Sequence, residues 1–149
     1  MSETKTPEGG YILDELSIGM SAEIAVEITH ERIMSFAEAS GDYNPIHIDE
    51  DYAKTTAYRG RVAHGLLSAS FVSAVVGTML PGPGAIYLDQ TVSFHKPVRI
   101  GDTVIARVTV TAIDPASARV TLRTECLIDG EAILDGQATI RVPRRRKRG

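Results

Sequence analysis

The chain has 149 residues, a formal net charge of −3 and 43% hydrophobic residues. This length fits one folded domain, the composition is typical of a globular protein, and the lack of a basic field weighs against nucleic-acid binding across the whole surface. No apolar run approaches the ~20 residues that a membrane span requires. The single cysteine, Cys126, excludes an intramolecular disulfide, and the N-terminus lacks signal-peptide features, so a cytoplasmic location is expected.

Both ends of the chain are expected to lie outside the folded domain. Residues 1–10 are polar and contain two glycines, which predicts a flexible leader, and one domain is predicted over residues 11–143. The basic run in residues 144–149 is typical of a disordered, solvated tail. The alternative is an auxiliary contact with anions, because clustered Arg and Lys attract phosphate groups. The run consists of Arg144, Arg145, Arg146, Lys147 and Arg148.

The first part of the domain shows a strand pattern followed by a helix pattern. Residues 22–28 alternate between apolar and polar side chains, which predicts a strand with one buried face. Thr29 is placed to cap a helix that runs through Ser40, and Gly41 is placed to end it. Residues 42–58 have no sustained period, so they predict a loop that contains a single helical turn.

The second part of the domain combines one apolar helix with four strands. Residues 64–80 are apolar on nearly all sides, which predicts a helix that is buried all round. Asp129 and Gly130 form a strong hairpin signal, and successive strands joined by short turns are expected to pair antiparallel. The sequence therefore predicts an α+β architecture in which an antiparallel sheet curls around a central helix. The four strand segments are 85–94, 103–112, 119–128 and 131–142.

Two side chains with acid–base chemistry lie close together in the predicted loop. Asp42 and His47 are five residues apart on a segment that Asn44 and Pro45 stiffen, so both can converge on one water molecule. The alternative is that Asp42 caps a turn and His47 is structural. Two possible ligands without a further His or Cys nearby do not complete a metal site. The acidic run at residues 49–51 indicates the first turn of a short helix and not a cation site.

A second candidate lies where the predicted buried helix begins, at His64 and Gly65. A helix N-terminus presents unpaired backbone N–H groups, and a glycine there allows a ligand to approach closely. This describes an oxyanion hole. The alternative is that Gly65 only permits tight packing and that His64 caps the helix.

The remaining polar candidates carry little signal. His30 and His95 have no partner in the sequence pattern and are expected to be structural, and Cys126 is expected to be a small buried residue. The turn at residues 82–84 is no phosphate-binding fingerprint, so a nicotinamide cofactor is not indicated. The serines of the apolar helix lack the Gly-x-Ser-x-Gly context of a serine hydrolase.

Three segments carry a family resemblance: Ser40 to Asp49 (SGDYNPIHID), Arg61 to Leu67 (RVAHGLL) and Tyr87 to Gly101 (YLDQTVSFHKPVRIG). Together they resemble the MaoC-like hydratases of the hot dog fold, in particular the R-specific enoyl-CoA hydratases. The resemblance implies a sheet curled around one long helix, a homodimer, and reversible addition of water to trans-2-enoyl-CoA to give (R)-3-hydroxyacyl-CoA. It implies no metal or redox cofactor. Coenzyme A enters as part of the acyl-CoA substrate and is not a separate cofactor.

The resemblance also assigns residues. It implies that Asp42 and His47 are catalytic and that the N–H of Gly65 binds the thioester carbonyl. It places Ser73 at the reacting end of the helix, and helix spacing then puts Val76 on the same face, where it would limit acyl length. The alternative is that Val76 only packs in the core. The predicted substrate-binding residues are Gly65, Ser73, Val76 and Asn44.

Other functions are open on the same fold, because a fold does not fix a function. One is a related thioester enzyme, either a dehydratase that acts on acyl carrier protein or a thioesterase. Another is a non-catalytic module that binds acyl-CoA. The presence of both Asp42 and His47 argues against the module.

Overall fold

The computed structural model describes residues 5–146, so the first four residues and the basic residues Lys147 and Arg148 lie outside it. One antiparallel sheet contains all five strands of this range in the order β1-β3-β4-β5-β2, and α4 packs against β3, β1 and β4. The predicted α+β architecture is confirmed. The elements are a 3₁₀ turn (Leu13–Glu15), β1 (Ser21–Glu27), α1 (His30–Ser40), α2 (Pro45–Ile48), α3 (Glu50–Ala53), α4 (Gly65–Thr78), β2 (Ile86–Phe94), β3 (Thr103–Asp114), β4 (Arg119–Ile128) and β5 (Glu131–Arg141).

The helix α4 is buried on one side only. Val75 and Val76 are fully covered and belong to the core beneath the sheet. On the opposite side Leu66 is 61% exposed and Ser73 is exposed, so the prediction of a helix buried all round is wrong for the single chain. The sheet covers one face of the helix, and the outward face carries mostly small side chains. Within residues 5–146, none of the helices has the length and apolar content to cross a membrane.

The strand order differs from simple succession along the chain. β2 pairs with β5 and not with β3, and residues 95–102 carry the chain from the β2 edge across to β3, which lies beside the other edge strand, β1. The turn at Asp129 and Gly130 forms the expected tight hairpin, in which both residues adopt the positive φ that a type I′ turn needs. β3 and β4 also pair antiparallel as expected, through the turn at residues 115–118. The crossover passes the start of α4, where the N–H of Ala63 donates to the carbonyl of Val98 at 2.7 Å.

The segment predicted as a loop with one turn contains two short helices, α2 and α3. Asn44 caps α2 by accepting the N–H of Ile46 at 3.1 Å, and Pro45 occupies its first turn. Asp49 caps α3 by accepting the N–H of Tyr52 at 3.1 Å. Two capping residues in close succession therefore start two helical turns, and His47 lies on the first of them.

The two ends of the described chain are tied to the domain. Arg146 donates to the carbonyl of Gly10 at 3.2 Å and pairs with Glu15. Arg144 donates to the carbonyl of Pro115 at 2.7 Å. The described part of the basic run therefore contacts the domain, whereas a solvated tail was expected. Its guanidinium groups donate to carbonyls that are not used by the sheet.

Gly136 of β5 lies opposite Val92 in the paired strand β2, where there is no room for a side chain. An added Cβ would lie 1.8 Å from the carbonyl oxygen of Thr91, which is backbone and cannot turn aside. We expect Gly136→Ala to lower the free energy of unfolding by about 2–3 kcal/mol, because β2 has to move away from β5. Urea denaturation followed by circular dichroism measures this loss.

The matched control is Gln137→Ala, which changes the exposed neighbour on the same strand. Its free energy of unfolding should stay within about 0.5 kcal/mol of the wild-type value. If Gly136→Ala also stays within that range, the close approach of β2 and β5 is contradicted.

Candidate active site

Asp42 is fixed by hydrogen bonds from its own segment. α1 ends at Gly41, whose φ of +81° turns the chain sharply, and the N–H of Asp42 donates to Ser40 Oγ at 3.0 Å. Its Oδ1 accepts the N–H of Asn44 at 3.1 Å. Its Oδ2 lies 3.9 Å from Nε2 of His47. Asp42 therefore caps a turn, as the alternative interpretation had it, and at the same time directs one carboxylate oxygen towards His47.

One ring nitrogen of His47 is hydrogen-bonded, and the other has no hydrogen-bond partner among residues 5–146. Nδ1 lies 2.7 Å from the carbonyl of Val62, and since a carbonyl only accepts, Nδ1 carries the hydrogen. Nε2 of the neutral ring then presents its lone pair to the side of Asp42. Arg61 donates to the main-chain carbonyl of His47 at 2.7 Å and holds α2 in place. The arrangement suits a general base.

His64 lies beneath these two residues and is 2% exposed. Its Nε2–H donates to the carbonyl of Asp42 at 3.0 Å, and its ring stacks on that of His47 with centroids 3.8 Å apart. Burial lowers the pKa of His64 and the charge of a protonated His47 lowers it too, whereas the hydrogen bond to Asp42 raises it. Nδ1 of His64 is buried and has no hydrogen-bond partner within residues 5–146. The sequence had suggested a helix cap, but this side chain makes no capping bond.

A cavity of about 500 Å³ opens beside the start of α4. Four of the six predicted site residues line it, namely Asp42, Asn44, His47 and Gly65. Ser73 and Val76 do not line it. Ser73 is exposed on the outward face of α4, and Val76 is 2% exposed in the core, because the border of the covering sheet runs between them. The cavity therefore gives no support to an acyl pocket along Ser73 and Val76.

Gly65 is the first residue of α4, so its N–H has no partner inside the helix. A Cβ added at Gly65 would lie 2.7 Å from the ring of Phe94, which also lines the cavity. Both interpretations of Gly65 are therefore compatible with its position, since it permits tight packing and presents an N–H at the cavity. No local pattern singled out Phe94, because β2 and α4 meet only in three dimensions.

Ser68 is a further cavity residue that the sequence did not single out as a site. It is fully buried one turn into α4, and its Oγ has no hydrogen-bond partner in the described chain. The available signal was a serine on the buried face of an otherwise apolar helix. Cys126 donates its S–H to the carbonyl of Ser68 at 3.4 Å, and burial raises the pKa of this thiol to about 12. Cys126 is thus the inert buried residue that was expected.

The possible ligand atoms of Asp42, His47 and His64 are close enough together for a metal site, but the two imidazole rings are not oriented for one. One ligand atom from each residue lies within 4.8 Å of the others. A metal ion bound by two imidazoles lies in the plane of both rings, at ~2.0 Å from each nitrogen. The rings of His47 and His64 stack face to face at an angle of 29°, so their planes do not meet near the nitrogens. These residues do not fit a metal ion without turning a ring.

His95 has a partner that the sequence pattern did not reveal. Its Nε2 lies 2.9 Å from Oδ1 of Asp135, and both side chains are largely exposed. Of the two, His95 lines the same cavity. Exposed ion pairs of this kind add little to stability.

Comparison with known proteins places this geometry in a family. The model of the MaoC like domain matches residues 16–129. The chain belongs to the MaoC-like family. Its closely similar solved structures include an R-hydratase from Pseudomonas aeruginosa in the unliganded form, with a TM-score of 0.87 and 39% identity over 93% of this chain and 89% of that chain. The expected hot dog fold is confirmed.

Two relatives of this MaoC-like protein are similar over nearly their whole length. An (R)-specific enoyl-CoA hydratase from Rhodospirillum rubrum is 50% identical over 91% of this chain and 94% of the relative. A 3-hydroxybutyryl-CoA dehydratase from Methylorubrum extorquens is 43% identical over 89% of this chain and 84% of the relative.

The lowered pKa of His64 predicts how the stability of the MaoC-like domain depends on pH. In the unfolded chain His64 takes up a proton near its ordinary pKa of ~6.5, but in the folded chain it does so only at lower pH. At pH values between the folded and the unfolded pKa of His64, the unfolded chain binds more protons than the folded chain. The contribution of His64 to the free energy of unfolding is therefore complete above the ordinary pKa and falls as the pH decreases through it. We expect the free energy of unfolding to fall more steeply below about pH 6.5 for the wild type than for His64→Phe.

Urea denaturation at several pH values between about 5.5 and 7.5 measures both slopes. The matched control is His30→Gln, which removes an exposed histidine and should keep the wild-type slope. Equal slopes for the wild type and His64→Phe would contradict the assigned direction of the pKa shift.

Proposed function

We propose that this protein is an R-specific enoyl-CoA hydratase that reversibly adds water to trans-2-enoyl-CoA to give (R)-3-hydroxyacyl-CoA, and that it acts in the cytoplasm. The observation that carries the proposal is the pair formed by Asp42 Oδ2 and His47 Nε2, 3.9 Å apart at the wall of one cavity. Both groups can contact a single water molecule. The similar relatives named as a hydratase and a dehydratase support the same reversible reaction.

In the proposed mechanism His47 is the base. Its Nε2 takes a proton from water while the water oxygen forms a bond to the β-carbon and the π electrons move towards the thioester. Asp42, which must begin this step as the carboxylic acid, orients the water and delivers its own proton to the α-carbon. Transfer of the proton from His47 back to Asp42, across the gap between them, then resets the site. Hydration thereby consumes one water molecule and needs no metal or redox cofactor.

The thioester oxygen gains negative charge during this step, and Gly65 is proposed to bind it. The N–H of Gly65 is at the positive end of the α4 dipole, where a developing anion is stabilised. Asn44 lines the cavity as well, but its Oδ1 is already used to cap α2. Its proposed role is to hold Asp42 and the following turn in place at the substrate.

Product analysis with crotonyl-CoA tests the proposal. Formation of (R)-3-hydroxybutyryl-CoA without release of coenzyme A supports it. Release of coenzyme A would show a thioesterase, and tight binding without turnover would show a binding module. Turnover of the crotonyl group only when it is attached to acyl carrier protein would show the carrier-dependent dehydratase.

We expect Asp42→Asn and His47→Gln each to lower kcat for crotonyl-CoA by about 10² or more, because each removes positioned acid–base chemistry. Both substitutions keep side-chain size, so the circular dichroism spectrum should not change. The matched control is Asp49→Asn, which removes a nearby carboxylate that only caps α3. A variant of Asp42 or His47 that keeps more than about half of the wild-type kcat is not catalytic.

We further propose that the protein is a homodimer that pairs through the β2 edge of the sheet. The two edge strands differ in character. β1 exposes the charged residues Glu23 and Glu27, whereas β2 exposes large apolar side chains. Charged edges resist pairing and apolar edges favour it. The exposed face of α4, which includes Leu66, supplies further apolar surface. The apolar residues of β2 are Ile86, Tyr87, Leu88 and Phe94.

We expect Ile86→Asp to weaken the dimer at least about tenfold, because a carboxylate would be buried in the interface without a partner. Light scattering across a range of protein concentrations measures the change. The matched control is Ala25→Asp, which places the same charge on the exposed edge strand β1 and should leave the dimer intact. A wild-type protein that is monomeric at assay concentrations would overturn the proposed dimer.

A further inference from the structure

His64 contacts both candidate catalytic residues through different parts of its ring. Its Nε2–H donates to the main-chain carbonyl of Asp42 at 3.0 Å, and its face lies on the ring of His47 at 3.8 Å. We propose that His64 is a positioning residue that orients Asp42 and His47 through these two separate contacts. The inference rests on the proposed hydratase function, because it concerns the geometry of the pair that handles water.

The contact with His64 ties Asp42 directly to the start of α4. The other hydrogen bonds of Asp42 come from within its own segment, to Ser40 and Asn44. Its side chain is 49% exposed, so packing restrains it little. The bond from His64 connects this segment to the start of α4, where Gly65 presents its N–H. Catalytic groups on different elements need such a link, because a misplacement of about 1 Å can cost up to ~10²-fold in rate.

The contact with His47 fixes the plane of its ring. The carbonyl of Val62 holds Nδ1 at one edge, and the face of His64 prevents the ring from tilting about that bond. Phe36 supports His64 from another side, with ring centroids 4.8 Å apart. An uncharged aromatic face also tolerates the positive charge that His47 acquires when it takes a proton from water.

Histidine is the side chain that makes both contacts at once. Phenylalanine offers the flat face without a donor, and glutamine offers a donor of the same reach without the face. The histidine carries a cost, because its Nδ1 is buried without a partner in the described chain. A residue that only filled space at this position would not leave a buried nitrogen unpaired.

The two contacts can be removed separately in the full-length protein. His64→Phe keeps the aromatic face and loses the bond to Asp42, His64→Gln keeps a donor and loses the face, and His64→Leu loses both. We expect kcat for crotonyl-CoA to fall about tenfold in each of the first two variants and further in the third, with KM changed less than about threefold. The matched control is His30→Gln, an exposed histidine outside the cavity, which should keep the wild-type kcat.

A purely structural role would lower the melting temperature of the His64 variants without changing kcat per folded molecule. Folded variants with kcat within about twofold of the wild type would therefore overturn the inference. If the wild type itself does not hydrate crotonyl-CoA, the proposed function fails, and this outcome is distinct because it does not depend on His64.

Ring-nitrogen NMR provides a test that does not depend on activity. We expect His64 to be protonated at Nε2 and His47 at Nδ1, in agreement with the carbonyls that each contacts. In His64→Gln the ring signals of His47 should broaden or average, since the stacked face is gone. A wild-type His64 that is protonated at Nδ1 would overturn the inference.

Discussion

The hydrogen bond from His47 Nδ1 to the carbonyl of Val62 determines which nitrogen of the ring is basic. The same two segments exchange further bonds, because the N–H of Val62 donates to the carbonyl of Ile46 and Arg61 donates to the carbonyl of His47. α2 is thereby attached to the chain that enters α4. The base, the carboxylate beside it and the helix N-terminus consequently form one rigid unit, although they come from three elements.

The parts of this unit that were predictable are the ones that local chemistry determines. The turn after α1 needs the positive φ that Gly41 adopts. The hairpin at Asp129 and Gly130 belongs to the same class. For such signals a few neighbouring residues contain the whole cause, so the sequence is sufficient. Asp42 and His47 became candidates for this reason, since both lie within one short run, but their catalytic role was implied by the family resemblance.

The features that sequence reasoning missed are the ones that two distant segments make together. The pairing of β2 with β5 depends on the path of residues 95–102, and no local pattern encodes that path. The stacking of His64 under His47 follows from how α2 lies on the start of α4. Ser73 and Val76 were grouped by helix spacing, but the extent of the covering sheet decides which of them is buried. Periodicity describes a helix and not what surrounds it.

The contact between Gly65 and Phe94 constrains the order in which the protein can change during evolution. Any side chain at position 65 would meet the ring of Phe94 at less than 3 Å, whereas a smaller residue at position 94 would leave room for it. Replacement of Gly65 therefore requires the Phe94 ring to move or position 94 to carry a smaller residue, so an earlier change at position 94 makes a change at position 65 easier to accept. The two positions are thus epistatic, although they lie on different elements and far apart in the chain.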